Sequence, residues 1–241
     1  SLTSTQVGAS DLPRPEAQDL VERAMSGSDA AWREIFDAHY VKIYRFFRSR
    51  VATHQQAEDL SADVFLQAFR SIANDHPIDA LRWSLIHLQR IDAPRLKALA
   101  DLGAGASAQT WTYLSTGGGP PFRTIVESGI RAGVGTDSTN VAALDPWLSL
   151  FYMVTGRNLA GVVTNAGQQI SRLDALRLYT EGAAWFSFDD DHVGSFSEGR
   201  YADLAVLSHD YLAVPDDMLR RIESVLTLVG GRIVHAAAPF D

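Results

Sequence analysis

The chain has 241 residues, of which 46% are hydrophobic, and a formal net charge of −8 at pH 7. This hydrophobic fraction is typical of a globular chain that buries a core, and no apolar run reaches the length of a membrane span. The absence of cysteine excludes disulfides, thiolate catalysis and cysteine-ligated metal, and the negative charge argues against general nucleic-acid binding.

The amino-terminal segment, residues 1–15, is polar and contains proline, which predicts a disordered lead-in. It lacks the basic and apolar pattern of a secretory signal, so we expect a cytoplasmic protein without a membrane partner. Residues 16–73 form the next predicted domain. Apolar residues recur there every three or four positions, which predicts helices. Ser28 or Asp29 caps the second of them, and a third begins after Thr53.

The third predicted helix carries a polar face that charge alone explains equally well as a solvated surface or as a binding surface. The run from Asp29 to Ile72 resembles the opening helices of region 2 in extracytoplasmic-function sigma factors. Its most specific part is AEDLSADVFLQAF, Ala57 to Phe69. The resemblance implies docking on RNA polymerase core and a role in transcription initiation, although no promoter-reading helix follows Ile72. The residues implied in polymerase binding are Glu58, Asp59, Asp63 and Gln67.

Strands and helices alternate after a proline-marked boundary at residues 73–79. The predicted strands are Trp83–Leu88, Ala104–Thr110 and Ile130–Thr136, with a helix capped by Asp92 between the first two. This alternation predicts an α/β fold with a parallel sheet, either in a barrel or in a doubly wound arrangement.

Two ionisable residues fall near the carboxyl ends of predicted neighbouring strands, His87 after the first and Asp137 after the third. Barrel enzymes assemble their chemistry at this end of the sheet. The pair could share a divalent metal, or Asp137 could orient a water and accept its proton. Two other interpretations stay open: His87 as a hydrogen-bonded core histidine, and Asp137 as the cap of a turn with Ser138 to Asn140.

Four stretches carry a second resemblance, namely RWSLIHLQRID, the GTDS that contains Asp137, the helix Leu173 to Thr180, and GSFSEGRYADLAVL. From about residue 75 to the end, the chain resembles the carboxyl-terminal part of metal-dependent amidohydrolases allied to N-substituted formamide deformylases. The resemblance implies a partial (β/α) barrel, or TIM barrel, of about three units over residues 76–190. It also implies a small β-sandwich portion over residues 191–241.

The same resemblance implies hydrolysis of a non-peptide C–N bond in a small amide. His87 would be the strand-six metal ligand, Asp137 the strand-eight ligand and general base, and zinc the favoured ion. The sequence contains no His-x-His, and its other histidines stand singly, so this metal site is incomplete. We therefore expect impaired or absent activity in this chain, whose status as an enzyme stays open.

The two resemblances together indicate a gene fusion. Three strands of a barrel also leave open sheet edges. We expect these edges and the apolar helix Trp147–Val154 to be exposed, or covered by a second copy of the chain in a homo-oligomer.

Overall fold

The computed structural model describes residues 15–26, 28–138 and 141–241. The chain divides into two compact units, and the division lies between Phe65 and Leu66. The predicted lead-in, residues 1–15, lies outside the described residues except for its last position. The predicted domain limits at residues 73–76 and 190–191 stay predictions.

The first three helices are α1 (Pro15–Met25), α2 (Asp29–Arg48) and α3 (His54–Ala73). The division between the two units falls within α3. The helices of the second unit are α4 (Ala93–Ala100), α5 (Phe122–Ser128), α6 (Pro146–Thr155), α7 (Arg172–Tyr179) and α8 (Glu181–Phe186). The strands are β1 (Ser84–Ile86), β2 (Gly105–Gln109), β3 (Ala132–Gly135), β4 (Leu204–Leu207), β5 (Ser224–Val229) and β6 (Arg232–Ala236). Short 3₁₀ helices cover Asp79–Leu81, Trp111–Leu114 and Asp216–Arg221.

Side-chain caps define where the helices of the first unit begin. The Ser28 hydroxyl accepts a hydrogen bond from the Ala31 N–H at 3.3 Å, as its predicted capping role requires. Thr53 and Gln56 form a reciprocal pair, because Thr53 Oγ1 accepts from the Gln56 N–H and Gln56 Oε1 accepts from the Thr53 N–H. These bonds satisfy backbone donors that a helix terminus leaves unpaired.

The second unit contains the predicted parallel sheet. β2 lies in the middle and pairs in parallel with both β1 and β3. One face of this sheet is lined by buried small and branched residues, listed here: Leu85, Ala106, Ala108, Ala132 and Val134. The mixed α/β class with a parallel sheet is therefore confirmed. The described residues contribute three strands to this sheet, and barrel closure stays a prediction.

The opposite face of the sheet is covered at its amino end by α8. A Cβ atom at Gly105 would lie 2.5 Å from a ring carbon of Trp185, and one at Gly133 would lie 2.9 Å from a ring carbon of Phe186. Both positions require glycine, because any side chain would displace these aromatic rings. The sequence did not predict α8 as a helix.

A second sheet follows, in which antiparallel β5 pairs with β4 and β6. The β5–β6 hairpin turns at Gly230 and Gly231, whose φ angles are 57° and 75°. This is the left-handed backbone that a two-residue hairpin turn needs and that the Gly-Gly pair predicts. β6 exposes Ile233 and Val234, which are 63% and 61% exposed. Completion of a sandwich stays a prediction, as does a second copy of the chain that covers the open edges of the parallel sheet.

The expectation of an exposed helix Trp147–Val154 is wrong. Within α6, Leu150, Phe151, Tyr152 and Met153 are all at most 2% exposed. The Tyr152 ring packs edge-on against Tyr113 and Phe122. The helix is apolar nearly all round because it is buried inside the second unit. No helix in the described part of the chain is long and apolar enough to cross a membrane.

Arg82 connects the segment before β1 to the segment after α8. Its guanidinium donates to the Asp190 carboxylate at 2.5 Å and to the Trp185 carbonyl at 2.7 Å, and it lies 4.6 Å from the Phe188 ring centroid. The hydrogen bond from Arg82 holds the pKa of Asp190 below its ordinary value. The Arg82 and Asp190 side chains are 24% and 30% exposed, so solvent screens this pair only in part.

We predict that Asp190→Asn lowers the free energy of unfolding at pH 7 by about 1 kcal/mol. The pKa of Asp190 is lowered in the folded state, so its stabilisation is complete above the ordinary carboxyl pKa of 3.8 and is lost as pH falls through the folded pKa. Urea unfolding of the variant and the wild type between pH 7 and pH 3 measures this difference. Asp189→Asn, a change at the adjacent exposed acid, is the control, and an equal loss in both variants would contradict the prediction.

Candidate functional site

The two predicted site residues lie at the same edge of the parallel sheet. His87 directly follows β1, and Asp137 follows β3 by two residues. The expectation that their strands are neighbours is wrong, because β2 lies between β1 and β3. With strands about 4.8 Å apart, the two strand ends are separated by about 10 Å. Groups on both strands can therefore face one small molecule placed over the end of β2.

Both residues have the left-handed backbone conformation that is uncommon outside glycine. The φ angle is 61° at His87 and 58° at Asp137, and the other described non-glycine residues with positive φ are Arg82 and Phe188. Such a conformation costs free energy, and it recurs where function fixes the direction of a side chain. At both strand ends it turns the chain sharply where a β-strand would otherwise continue.

The surroundings of these side chains bear on the two other interpretations. His87 is exposed, so the interpretation of His87 as a core histidine is wrong. In the turn after β3, the Ser138 N–H donates to Thr136 Oγ1 at 3.2 Å. Asp137 is half-buried, and its carboxylate has no hydrogen-bond partner within the described ranges. Thr139 and Asn140, which complete the predicted capped turn, lie outside the described residues.

A buried hydroxyl network supports the strand ends next to Asp137. Thr110 Oγ1 lies 2.6 Å from Ser149 Oγ and donates to the Gly135 carbonyl at 3.2 Å. Tyr179 of α7 lies near the same group, because Ser149 and Thr136 lower the pKa of its hydroxyl against the larger, raising effect of burial. Burial raises the pKa of Tyr179 above its ordinary value, so the phenol stays protonated. The hydrogen bonds of Thr110 tie the ends of β2 and β3 to α6, and the sequence does not predict this network.

The described residues do not complete a hydrolytic metal site. Among residues 15–26, 28–138 and 141–241 there is no group of three or more histidine, aspartate or glutamate side chains placed to hold one ion. Hydrolytic zinc sites use three protein ligands and an open position. His87 and Asp137 supply two ligands from strands that are not adjacent, so they fit part of such a site.

The four residues implied in polymerase binding all lie on α3. Asp59, Asp63 and Gln67 are spaced four residues apart, which places them along one side of the helix. Glu58, Asp59 and Asp63 are half-buried, and Gln67 is exposed. Glu58 also raises the pKa of Tyr40, after the larger effect of burial. Their role in polymerase binding stays a prediction.

A parallel strand–helix sheet with ionisable residues at its carboxyl edge is the arrangement found in (β/α)-barrel enzymes. Comparison with known proteins identifies the family: the sequence pattern of the amidohydrolase family matches residues 29–235, and the chain belongs to this family. The match also covers α2 and α3, the helices for which the sequence resembles sigma factors.

Three curated relatives match parts of the chain. YtcJ of Bacillus subtilis is 29% identical over 117 residues, which are 47% of this chain and 22% of that protein. The N-substituted formamide deformylase of Arthrobacter pascens is 26% identical over 111 residues, 46% of this chain and 20% of that protein. The sigma factor BldN of Streptomyces coelicolor is 36% identical over a shorter stretch of 64 residues, 27% of this chain and 24% of that protein. The chain thus spans less than a quarter of each relative.

Solved structures support the fold. An uncharacterized metal-dependent hydrolase from Pyrococcus furiosus matches 66% of this chain with 36% of its own, at 24% identity and a TM-score of 0.51. A zinc-bound adenosine deaminase from Xanthomonas campestris matches 66% of this chain with 38% of its own, at 18% identity and a TM-score of 0.51. At these identities the likeness shows a shared fold.

We predict that His87→Gly leaves the free energy of unfolding unchanged within about 0.5 kcal/mol, because relief of the left-handed backbone offsets the chain entropy of glycine. Ser107→Gly, in the middle of β2, should instead lower it by about 1 kcal/mol. Chemical denaturation of both variants tests the prediction. If His87→Gly costs as much as Ser107→Gly, the backbone at His87 carries no strain.

Proposed function

We propose that this amidohydrolase-family chain contributes to the hydrolysis of a non-peptide C–N bond in a small amide, at the carboxyl edge of β1, β2 and β3. The observation that supports this most is the position of His87 and Asp137 at one edge of the sheet. Both residues lie at that edge in left-handed backbone, and the Asp137 carboxylate makes no hydrogen bond within the described residues. An unpaired, half-buried carboxylate is available to bind a water or a substrate group.

Asp137 is the proposed general base, since its carboxylate can hold an attacking water and accept its proton. His87 and Asp137 are the proposed ligands for a divalent ion, with zinc as the expected metal. Because the described residues place two candidate ligands at this edge and hold no group of three, a complete metal site requires groups beyond them. Low activity of the chain alone follows from this shortage. The likeness to the formamide deformylase supports an amide carrying a substituent on nitrogen as the substrate class.

We predict weak Zn²⁺ binding by the chain, and a loss of affinity of about tenfold or more in both His87→Ala and Asp137→Ala, because each change removes one of two ligands. Titration calorimetry of the metal-free protein with ZnCl₂ measures this affinity. Release of amine from N-substituted formamides by the zinc-loaded protein is measured in parallel.

His76→Ala is the matched control, because His76 is exposed and lies before the 3₁₀ helix that precedes β1. Its affinity for Zn²⁺ should equal that of the wild type. Equal binding by all four proteins would place the metal elsewhere and overturn the assignment of His87 and Asp137. Absence of Zn²⁺ binding together with absence of amide cleavage would overturn the hydrolase proposal for this chain.

A second candidate function is binding of bacterial RNA polymerase core through α3. It is favoured by the 36% identity to a sigma factor over 64 residues and by the acidic side of α3. Carboxylates aligned on one side of a helix can attract a basic docking surface. The function would then be transcriptional, and a gene fusion would explain the two kinds of relative.

We predict that the full chain is retained by immobilised polymerase core and that the double change Glu58→Lys/Asp59→Lys reduces retention by about tenfold, since like charges then face each other. The control is Glu22→Lys/Glu34→Lys, which makes the same charge change at two exposed residues of α1 and α2. Retention of neither the wild type nor the control, or equal retention of all three, would rule out docking through this side of α3.

A further inference from the structure

Gln109, the last residue of β2, has a buried polar atom that lacks a partner. The residue is 9% exposed, and its Oε1 has no hydrogen-bond partner among the described residues. Leaving a buried amide oxygen unpaired costs about 1–3 kcal/mol, so native structures contain few such atoms. Those that persist commonly serve a ligand, an ion or a catalytic step.

The alternation of a β-strand shows which face of the sheet Gln109 occupies. Gln109 and Gly105 are four residues apart in β2, so they share one face. At Gly105 this face is filled by Trp185 of α8. At the other end, Gln109 is paired in register with Gly135, where an added Cβ atom would meet no atom of the described residues within 4 Å. The face is therefore closed at the amino end of the sheet, and among the described residues it is open at Gly135, the register partner of Gln109.

The carboxyl end of β2 lies between the two proposed site residues. β2 separates β1, which His87 follows, from β3, which Asp137 follows. A second glutamine with an unpaired amide, Gln89, follows His87 by two residues. Its Nε2 and Oε1 atoms are both buried and have no hydrogen-bond partner among the described residues. Gln89 thus follows the carboxyl end of β1, and Gln109 is the last residue of β2. These are the strand ends at the edge where His87 and Asp137 lie.

We propose that Gln109 is a substrate-positioning residue whose amide oxygen accepts a hydrogen bond from the N–H of the substrate amide. An amide oxygen can pair only with a donor, and neither an ionised Asp137 nor a substrate carbonyl can supply one. The nitrogen of a primary or secondary amide carries such a hydrogen. The site therefore selects amides that retain an N–H and discriminates against tertiary amides, since these leave Oε1 unpaired.

The inference rests on the proposed amide substrate, yet its test needs neither metal nor turnover. Titration calorimetry of the metal-free chain compares N-cyclohexylformamide with N-cyclohexyl-N-methylformamide, which lacks the N–H. The wild type should bind the secondary amide about tenfold more tightly. Gln109→Met should abolish this preference, and Gln109→Glu, which keeps an acceptor oxygen, should retain it.

Gln169→Met is the matched control, because this glutamine lies in the loop before α7 and should leave the preference unchanged. The inference is overturned if Gln109→Met keeps the wild-type preference, if Gln109→Glu loses it, or if the wild type binds the two amides equally or not at all. Absence of both Zn²⁺ binding and hydrolysis, with an intact N–H preference, would reject the hydrolase proposal and leave the role of Gln109 standing.

Discussion

The pairing of β2 with strands on both sides is the interaction on which the second unit depends. Each ladder aligns the strands in parallel, so the chain leaves the sheet three times at one edge. Buried alanines at positions 106 and 108 allow close packing on one face, and Gly105 allows Trp185 to close the amino end of the other. The carboxyl edge of the sheet is therefore the part where polar side chains can form a site.

At the carboxyl edge, the residues that stabilise the fold differ from the residues proposed to form the site. The Thr110 hydroxyl joins the ends of β2 and β3 through a hydrogen bond to the Gly135 carbonyl, and it forms a short, buried bond with the Ser149 hydroxyl. His87 and Asp137, by contrast, have strained backbone, and Gln109 keeps an amide oxygen without a partner. Proteins accept such local costs at functional positions. Satisfied and unsatisfied groups thus lie within a few residues of one another.

Much of the local structure could be predicted from the sequence. The caps at Ser28 and Asp92 and the Gly-Gly hairpin are predictable because side-chain and glycine chemistry acts within a few residues. His87 and Asp137 were identified by a position after a strand and by family resemblance. The exposure of α6 was predicted wrongly because an apolar helix looks the same in sequence whether or not other segments cover it.

The sequence by itself determined the α/β class, the alternation of strands and helices after the proline-marked boundary, and the membership in the amidohydrolase family. Only the tertiary structure decided that β2 separates β1 from β3, that α8 closes one end of a sheet face, and that Gln109 is buried without a partner. The physical reason is the distance along the sequence over which each interaction acts. Periodicity and capping depend on neighbours along the chain, whereas strand order and the satisfaction of a buried amide depend on residues that are distant in sequence.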